Sequence, residues 1–162
     1  MSEIEELKAV IKRLRAKDGC PWDREQTHAS LKPGCIEEAC EVICGINIYE
    51  ETGNADNMLE ELGDLLLQIV MQAEIADEEG LFNFEDVARV VKEKMIRRHP
   101  HVFGEVTVKD SDEVLANWAD IKAEEKRGKE WMDEHMPAAF EESQELIQKA
   151  IRHKEEKKKA KS

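Results

Sequence analysis

The chain has 162 residues, a length that suits one domain with a real core. Aromatic residues make up 5% of it, and with only four prolines and eight glycines among recurrent Leu, Ile, Ala, Glu and Lys, a sheet-based core is disfavoured and an all-α fold expected. A net charge of -13 argues against nucleic acid or an anionic membrane as partner, since both are bound by neutralising phosphate with Lys and Arg.

The N-terminal segment MSEIEELKAVIKRL is charged and amphipathic, without the apolar core of a signal sequence, and no run approaches the roughly 18 apolar residues that span a bilayer. A cytoplasmic location is expected. Leu7, Val10, Ile11 and Leu14 form a helical stripe within Ile4 to Arg15, ending at Asp18-Gly19. The following GCPWDREQTHASLKP, rich in turn formers and isolated aromatics, reads as a loop. A second helix is predicted from Pro33 to Glu51, with the proline tolerated in its first turn and Thr52-Gly53-Asn54 closing it. Of the four cysteines, Cys20, Cys35, Cys40 and Cys44, none forms a CxxC pair, and the last two sit in an apolar helical run; reduced, mostly buried thiols are expected.

A third helix is predicted from Ala55 to Glu79. On a helical wheel it is apolar nearly all round, so it is expected to be largely buried. One stripe interrupts it: Asn57, Glu61, Asp64, Gln68 and Gln72 share a face. Gly80 ends this helix, and a fourth runs from Phe84 to Arg98, with Asn83 as its expected N-cap and Glu85 and Asp86 in its first turn. HPHVFGEVTVKD reads as a loop, and a fifth helix begins near Ser111 with Val114, Leu115, Trp118 and Ile121 at helical spacing. Residues 1–128 are taken as the functional domain. The remainder, 129–162, has one apolar helical pattern through Phe140, Leu146, Ile147 and Ile151, and its final HKEEKKKAKS reads as a solvated or disordered end.

Glu38 and Glu41 are three apart on the second helix, as are Glu61 and Asp64 on the third, and that spacing puts each pair on one helix face. A short turn between the helices lets the four carboxylates meet across one interface. Uncompensated, such a cluster is unfavourable, because burial and like charge push carboxylates towards protonation; a divalent cation removes the conflict. All-oxygen ligation suits Mg²⁺ or Mn²⁺ and does not suit structural zinc, which recruits Cys or His. Any single Glu here is more simply a solvated residue. Glu61 and Asp64 differ because they break an apolar helix. Di-iron bundles share the spacing but use Glu-x-x-His pairs, which neither helix has.

Lys94 and Arg98, four apart, offer a point charge and a bidentate fork to a polyphosphate, or merely suit a helix C-terminus. Arg97 shares that ambiguity, and His99 and His101 read as structural. Trp22 and Trp118 are each able to stack on a base or to serve as core.

Six segments together resemble the MazG family of nucleoside triphosphate pyrophosphohydrolases: GCPWDREQTHASLKP (Gly19 to Pro33), EEACE (Glu37 to Glu41), EELGDLLLQIV (Glu60 to Val70), EEGLFNFEDV (Glu78 to Val87), KMIRRHPHVFG (Lys94 to Gly104) and NWADIKAEEK (Asn117 to Lys126). The resemblance implies an all-α, four-helix-bundle-like fold completed by dimerisation, as a homodimer or higher homo-oligomer. It also implies Mg²⁺-dependent cleavage of a nucleoside triphosphate to the monophosphate and pyrophosphate, with Mn²⁺ as a substitute ion. Carried over by position, it makes Glu38, Glu41, Glu61 and Asp64 metal ligands. Glu37 and Glu41 become the water-orienting, catalytic carboxylates, Lys94 and Arg98 triphosphate contacts, and Trp118 a nucleotide-side contact. Gly34-Cys35 and Cys40 depart from the larger residues, such as Tyr and Leu, usual in relatives. The chain resembles a single-domain member. Two other readings remain: a related all-α enzyme acting on a phosphoribosyl or modified nucleotide, and a non-catalytic acidic module that binds a protein partner.

Overall fold

The computed structural model describes residues 2–160, and every regular element among them is helical. The eight helices are α1 (Glu3–Arg15), α2 (Pro21–Glu25), α3 (Lys32–Thr52), α4 (Asp56–Glu78), α5 (Phe84–Arg98), α6 (Pro100–Phe103), α7 (Ser111–Lys126) and α8 (Trp131–Ala160). The all-α expectation holds; α1, α3, α4 and α5 lie within a few residues of their predicted bounds, and α7 begins at Ser111 as predicted. Two short helices, α2 and α6, occupy segments read as loops. Each has proline in its first turn, where the ring's fixed φ suits a helix start and its missing N–H leaves no bond unmade.

The chain divides into two compact units, residues 1–84 with 142–162, and residues 85–141. In the first unit α3 and α4 form a hairpin, closed by Gly53 at φ 76, a left-handed conformation that glycine adopts without a Cβ clash. Two glycines let these helices approach. A Cβ on Gly45 would stand 2.7 Å from the backbone Cα of Met58, and one on Gly34 would stand 3.0 Å from the side-chain oxygen of Gln68. Ascending positions on α3 thus meet descending positions on α4, so the hairpin is antiparallel.

Beyond the Gln68 end, the second half of α4 supplies most of the core. Val70, Met71, Ala73, Ile75 and Ala76 are buried, together with Ile11 of α1 and Leu31. Leu7, Leu14, Leu66, Leu67 and Phe84 pack around them. Arg15 ties three segments together there. Its guanidinium forms a two-pronged pair with Glu78 at 2.9 and 2.6 Å and donates to the backbone carbonyls of Asp23 and Gln26. The same loop is pinned to α4 by a hydrogen bond between the His28 ring and the Gln72 side chain, with Gln72 donating back to the His28 carbonyl at 3.2 Å. The GCPWDREQTHASLKP segment is thus held to α1 through its Asp23 and Gln26 carbonyls and to the α4 polar stripe through His28.

The expectation that α4 is largely buried holds for only half of it. Leu59 is 74% exposed and Leu62 48%. Across the hairpin Ile43, Ile46 and Tyr49 are also exposed, because none of the described residues covers that apolar face. Of the cysteine expectation, the free thiols hold and the burial does not: Cys20 and Cys35 are half-buried, while Cys40 and Cys44 are exposed.

In the second unit, α7 begins at Ser111 and is capped by Asp110, whose carboxylate accepts the Glu113 backbone N–H at 3.0 Å. The C-terminal segment departs most from its reading. Helix α8 continues through 30 residues to Ala160, with Pro137 inside it, so most of the charged run is helical rather than irregular. Lys161 and Ser162 lie outside the described residues.

Candidate functional site

Between the Gly45–Met58 and Gly34–Gln68 contacts, α3 carries Glu38 and Glu41 and α4 carries Glu61 and Asp64. Antiparallel register therefore sets the two acidic pairs opposite each other. Glu38, Glu61 and Asp64 each offer a carboxylate oxygen, and these atoms lie within 4.8 Å of one another, all three residues being half-buried. Among the described residues this is the cluster of metal-ligating side chains close enough to share one ion. Burial, then the charges of Glu41, Asp64, Glu61 and Glu37, push the Glu38 carboxyl above its ordinary range. A divalent cation at that point would relieve both effects, and three hard oxygen donors suit Mg²⁺ or Mn²⁺. The side-chain amide of Asn57 donates to Glu61 at 2.8 Å and fixes its orientation. Such support around a ligand is what a metal site needs.

Glu41, one turn after Glu38, stands outside that triplet. Its carboxylate holds the ammonium group of Lys154 from α8, and Glu37 lies 3.7 Å from the same ammonium. Lys154 belongs to the charged run read as a solvated end, and nothing in its local sequence marks it out. The contact depends on α8 continuing past residue 150.

The second unit gathers the basic candidates. Arg98 and Arg97 both bond Glu125, with Arg98 donating at 2.6 and 3.1 Å and Arg97 at 2.6 Å. The Arg98 and Glu125 side chains are largely covered, 15% and 17% exposed. Hydrogen bonds from Arg98, and then from Arg97, hold the Glu125 carboxyl below the ordinary carboxylate range despite some burial. Lys94 and Arg98 line one cavity of about 650 Å³ with Lys122, Glu125, Lys126 and Lys129. The Arg98 guanidinium lies 5.9 Å from the Trp118 ring centroid, and His99 meets that ring edge-on at 5.2 Å. Arg98 is thus the residue that shares a cavity with Lys94 and meets Trp118. Trp22 is 64% exposed in the first unit. Sequence reasoning missed Glu125; the signal available was the adjacent Arg97 and Arg98, which call for a counter-charge when covered.

Comparison with known proteins assigns this geometry to a family. Residues 26–103 match the MazG nucleotide pyrophosphohydrolase domain. The chain is 51% identical over 123 residues to the nucleoside triphosphate pyrophosphohydrolase/pyrophosphatase MazG of Thermotoga maritima, covering 76% of this chain and 45% of that protein. It is 44% identical over 130 residues to the nucleoside triphosphate pyrophosphohydrolase of Escherichia coli K12, covering 80% and 48% respectively. To YabN of Bacillus subtilis, an uncharacterized protein, it is 49% identical over 128 residues, 79% of this chain and 25% of that one. The chain spans between a quarter and about half the length of these relatives. The sequence motifs, the all-helical fold and these matches agree: the chain carries a nucleotide pyrophosphohydrolase domain of the MazG family.

Proposed function

We propose that this protein hydrolyses nucleoside triphosphates to the monophosphate and pyrophosphate, using a divalent cation, Mg²⁺ by preference or Mn²⁺, held by Glu38, Glu61 and Asp64 with Glu41 as the fourth ligand. The observation that carries the reading is the three-carboxylate cluster on an antiparallel hairpin, its Glu38 held in a disfavoured charge state that a cation relieves. The names of the Thermotoga maritima and Escherichia coli relatives, both nucleoside triphosphate pyrophosphohydrolases, supply the reaction class. Residues 1–128 are proposed as the enzymatic domain, in keeping with matches 123 to 130 residues long, and 129–162 as an appended helix.

A bound divalent cation supplies neutralisation of phosphate charge and a water of lowered pKa. The chain's own residues do the positioning. Glu38, Glu61 and Asp64 would hold the ion, and Asn57 keeps Glu61 in place. Glu41 and Glu37, on the same face of α3, accept hydrogen bonds from the attacking water and take up its proton. Lys94 and Arg98 neutralise the triphosphate, and Trp118 supplies an aromatic face to the nucleotide. Phosphoryl transfer rests mainly on positioning and charge stabilisation, so no Ser, Cys or His nucleophile is required.

We also propose that a second copy of the chain covers the exposed apolar face of the hairpin, making a homodimer or a higher homo-oligomer. Ile43, Ile46, Tyr49, Leu59 and Leu62 support this, since such a patch is unfavourable in water. The cytoplasm, where triphosphates and Mg²⁺ coexist, is the proposed setting; among the described residues no helix is long and apolar enough to cross a membrane. The test incubates the protein with canonical and modified nucleoside triphosphates and Mg²⁺ and resolves the products. Pyrophosphate with the monophosphate is expected, and orthophosphate with the diphosphate would refute the assignment.

A further inference from the structure

The C-terminal part of α8 belongs to the same compact unit as α3 and is tied to it at two points. Near the start of α3, the Lys32 ammonium holds both carboxylate oxygens of Glu142 at 2.9 and 3.0 Å. Three turns further along α8, Lys154 reaches Glu41 and Glu37. Between these ties Leu146, Ile147 and Ala150 are half-buried, while Gln144, Glu145 and Gln148 are exposed, so this stretch has an inner and an outer side.

An ammonium and a divalent cation compete for the same carboxylate oxygens. While Lys154 sits on Glu41, that carboxylate is paired away from Glu38, Glu61 and Asp64, and the site offers three acids where four are available. We infer that the C-terminal half of α8 is an autoinhibitory strap, whose Lys154 withholds Glu41 from the cation site and must leave when the site loads.

The expected effect is modest and reversible. The Lys154 side chain is 53% exposed, and partly exposed ion pairs of this kind shift equilibria by only about two- to fivefold. That size suits a contact tuning cation affinity over a narrow range rather than a permanent block.

The inference rests on the cation site proposed above, and the test separates the two. Mg²⁺ is titrated calorimetrically into the full-length protein and into Lys154→Met and Lys149→Met forms, the latter removing the same charge roughly 140° away around α8. The strap predicts that Lys154→Met binds Mg²⁺ about two- to fivefold more tightly, with Lys149→Met close to the unaltered protein. It also predicts faster amide hydrogen exchange across residues 142–160 of the unaltered protein once Mg²⁺ is saturating. Equal affinities for all three proteins, equal gains for both variants, or unchanged exchange would overturn the strap and leave the cation site standing. Failure of all three proteins to bind Mg²⁺ would overturn the cation site and the strap together.

Discussion

The α3–α4 hairpin has two unlike ends. Beyond Gln68, α4 is locked: Val70, Met71 and Ile75 are buried with Ile11 of α1 and Leu31, Arg15 clamps Glu78, and His28 engages Gln72. Towards the turn it is open, with Leu59 and Leu62 in solvent and Glu61 and Asp64 facing Glu38 across the hairpin. One continuous apolar-looking helix therefore does two jobs. The locked end sets the position and register of α4. The open end spends that rigidity on holding like charges together, an arrangement unfavourable until a cation arrives.

Four substitutions probe this division. The largest effect on stability is expected at the locked end, where Ile75→Ala deletes a core side chain that is 3% exposed and should lower unfolding stability by about 2–5 kcal/mol in denaturant titrations. Leu59→Arg at the open end should leave the chain folded but shift the protein to monomer in sedimentation; an unchanged association state would remove the proposed dimer face. The two glycines make a finer comparison. At Gly45 a Cβ meets immovable backbone, and Gly45→Ala should destabilise by about 1–3 kcal/mol. At Gly34 the neighbour is the flexible end of Gln68, and Gly34→Ala should change stability by less than about 1 kcal/mol.

The smallest effect concerns pH in the second unit. Glu125 ionises more readily in the folded protein than its ordinary value of 4.5, because the folded state stabilises its charge. Its contribution is therefore fully present above that value and is lost as pH falls through the lowered one. Glu125→Gln should flatten the acid side of the thermal-stability profile below about 4.5 and lower stability slightly at neutral pH.

How much of this was legible in the sequence follows the same division. Helical periodicity placed the five main helices, and the polar stripe through Asn57, Glu61, Asp64, Gln68 and Gln72 identified the face of α4 that meets α3 and the 19–31 loop. Periodicity reports which residues are apolar, not what covers them, so the exposure of Leu59, Leu62, Cys40 and Cys44 was hidden. The departure at Gly34-Cys35 has a local reason: a larger residue at Gly34 would displace Gln68. Lys154 was invisible because its partner is 113 residues away, and Glu125 was missed because the arginines that call for a counter-charge stand 27 residues before it and do not say which acid answers. A helix run of lysines reads the same whether or not one of them meets a carboxylate.

The most direct test of the central claim compares the unaltered protein with Glu61→Gln in two measurements on the same samples, Mg²⁺-dependent pyrophosphate release and thermal stability in EDTA. The account predicts that Glu61→Gln loses activity by at least about a hundredfold, since even residues that merely support metal ligands change activity by 10- to 100-fold. It also predicts equal or higher stability without metal, because one of the repelling charges is gone. Full activity in Glu61→Gln would contradict the assignment of the carboxylate cluster as the working centre.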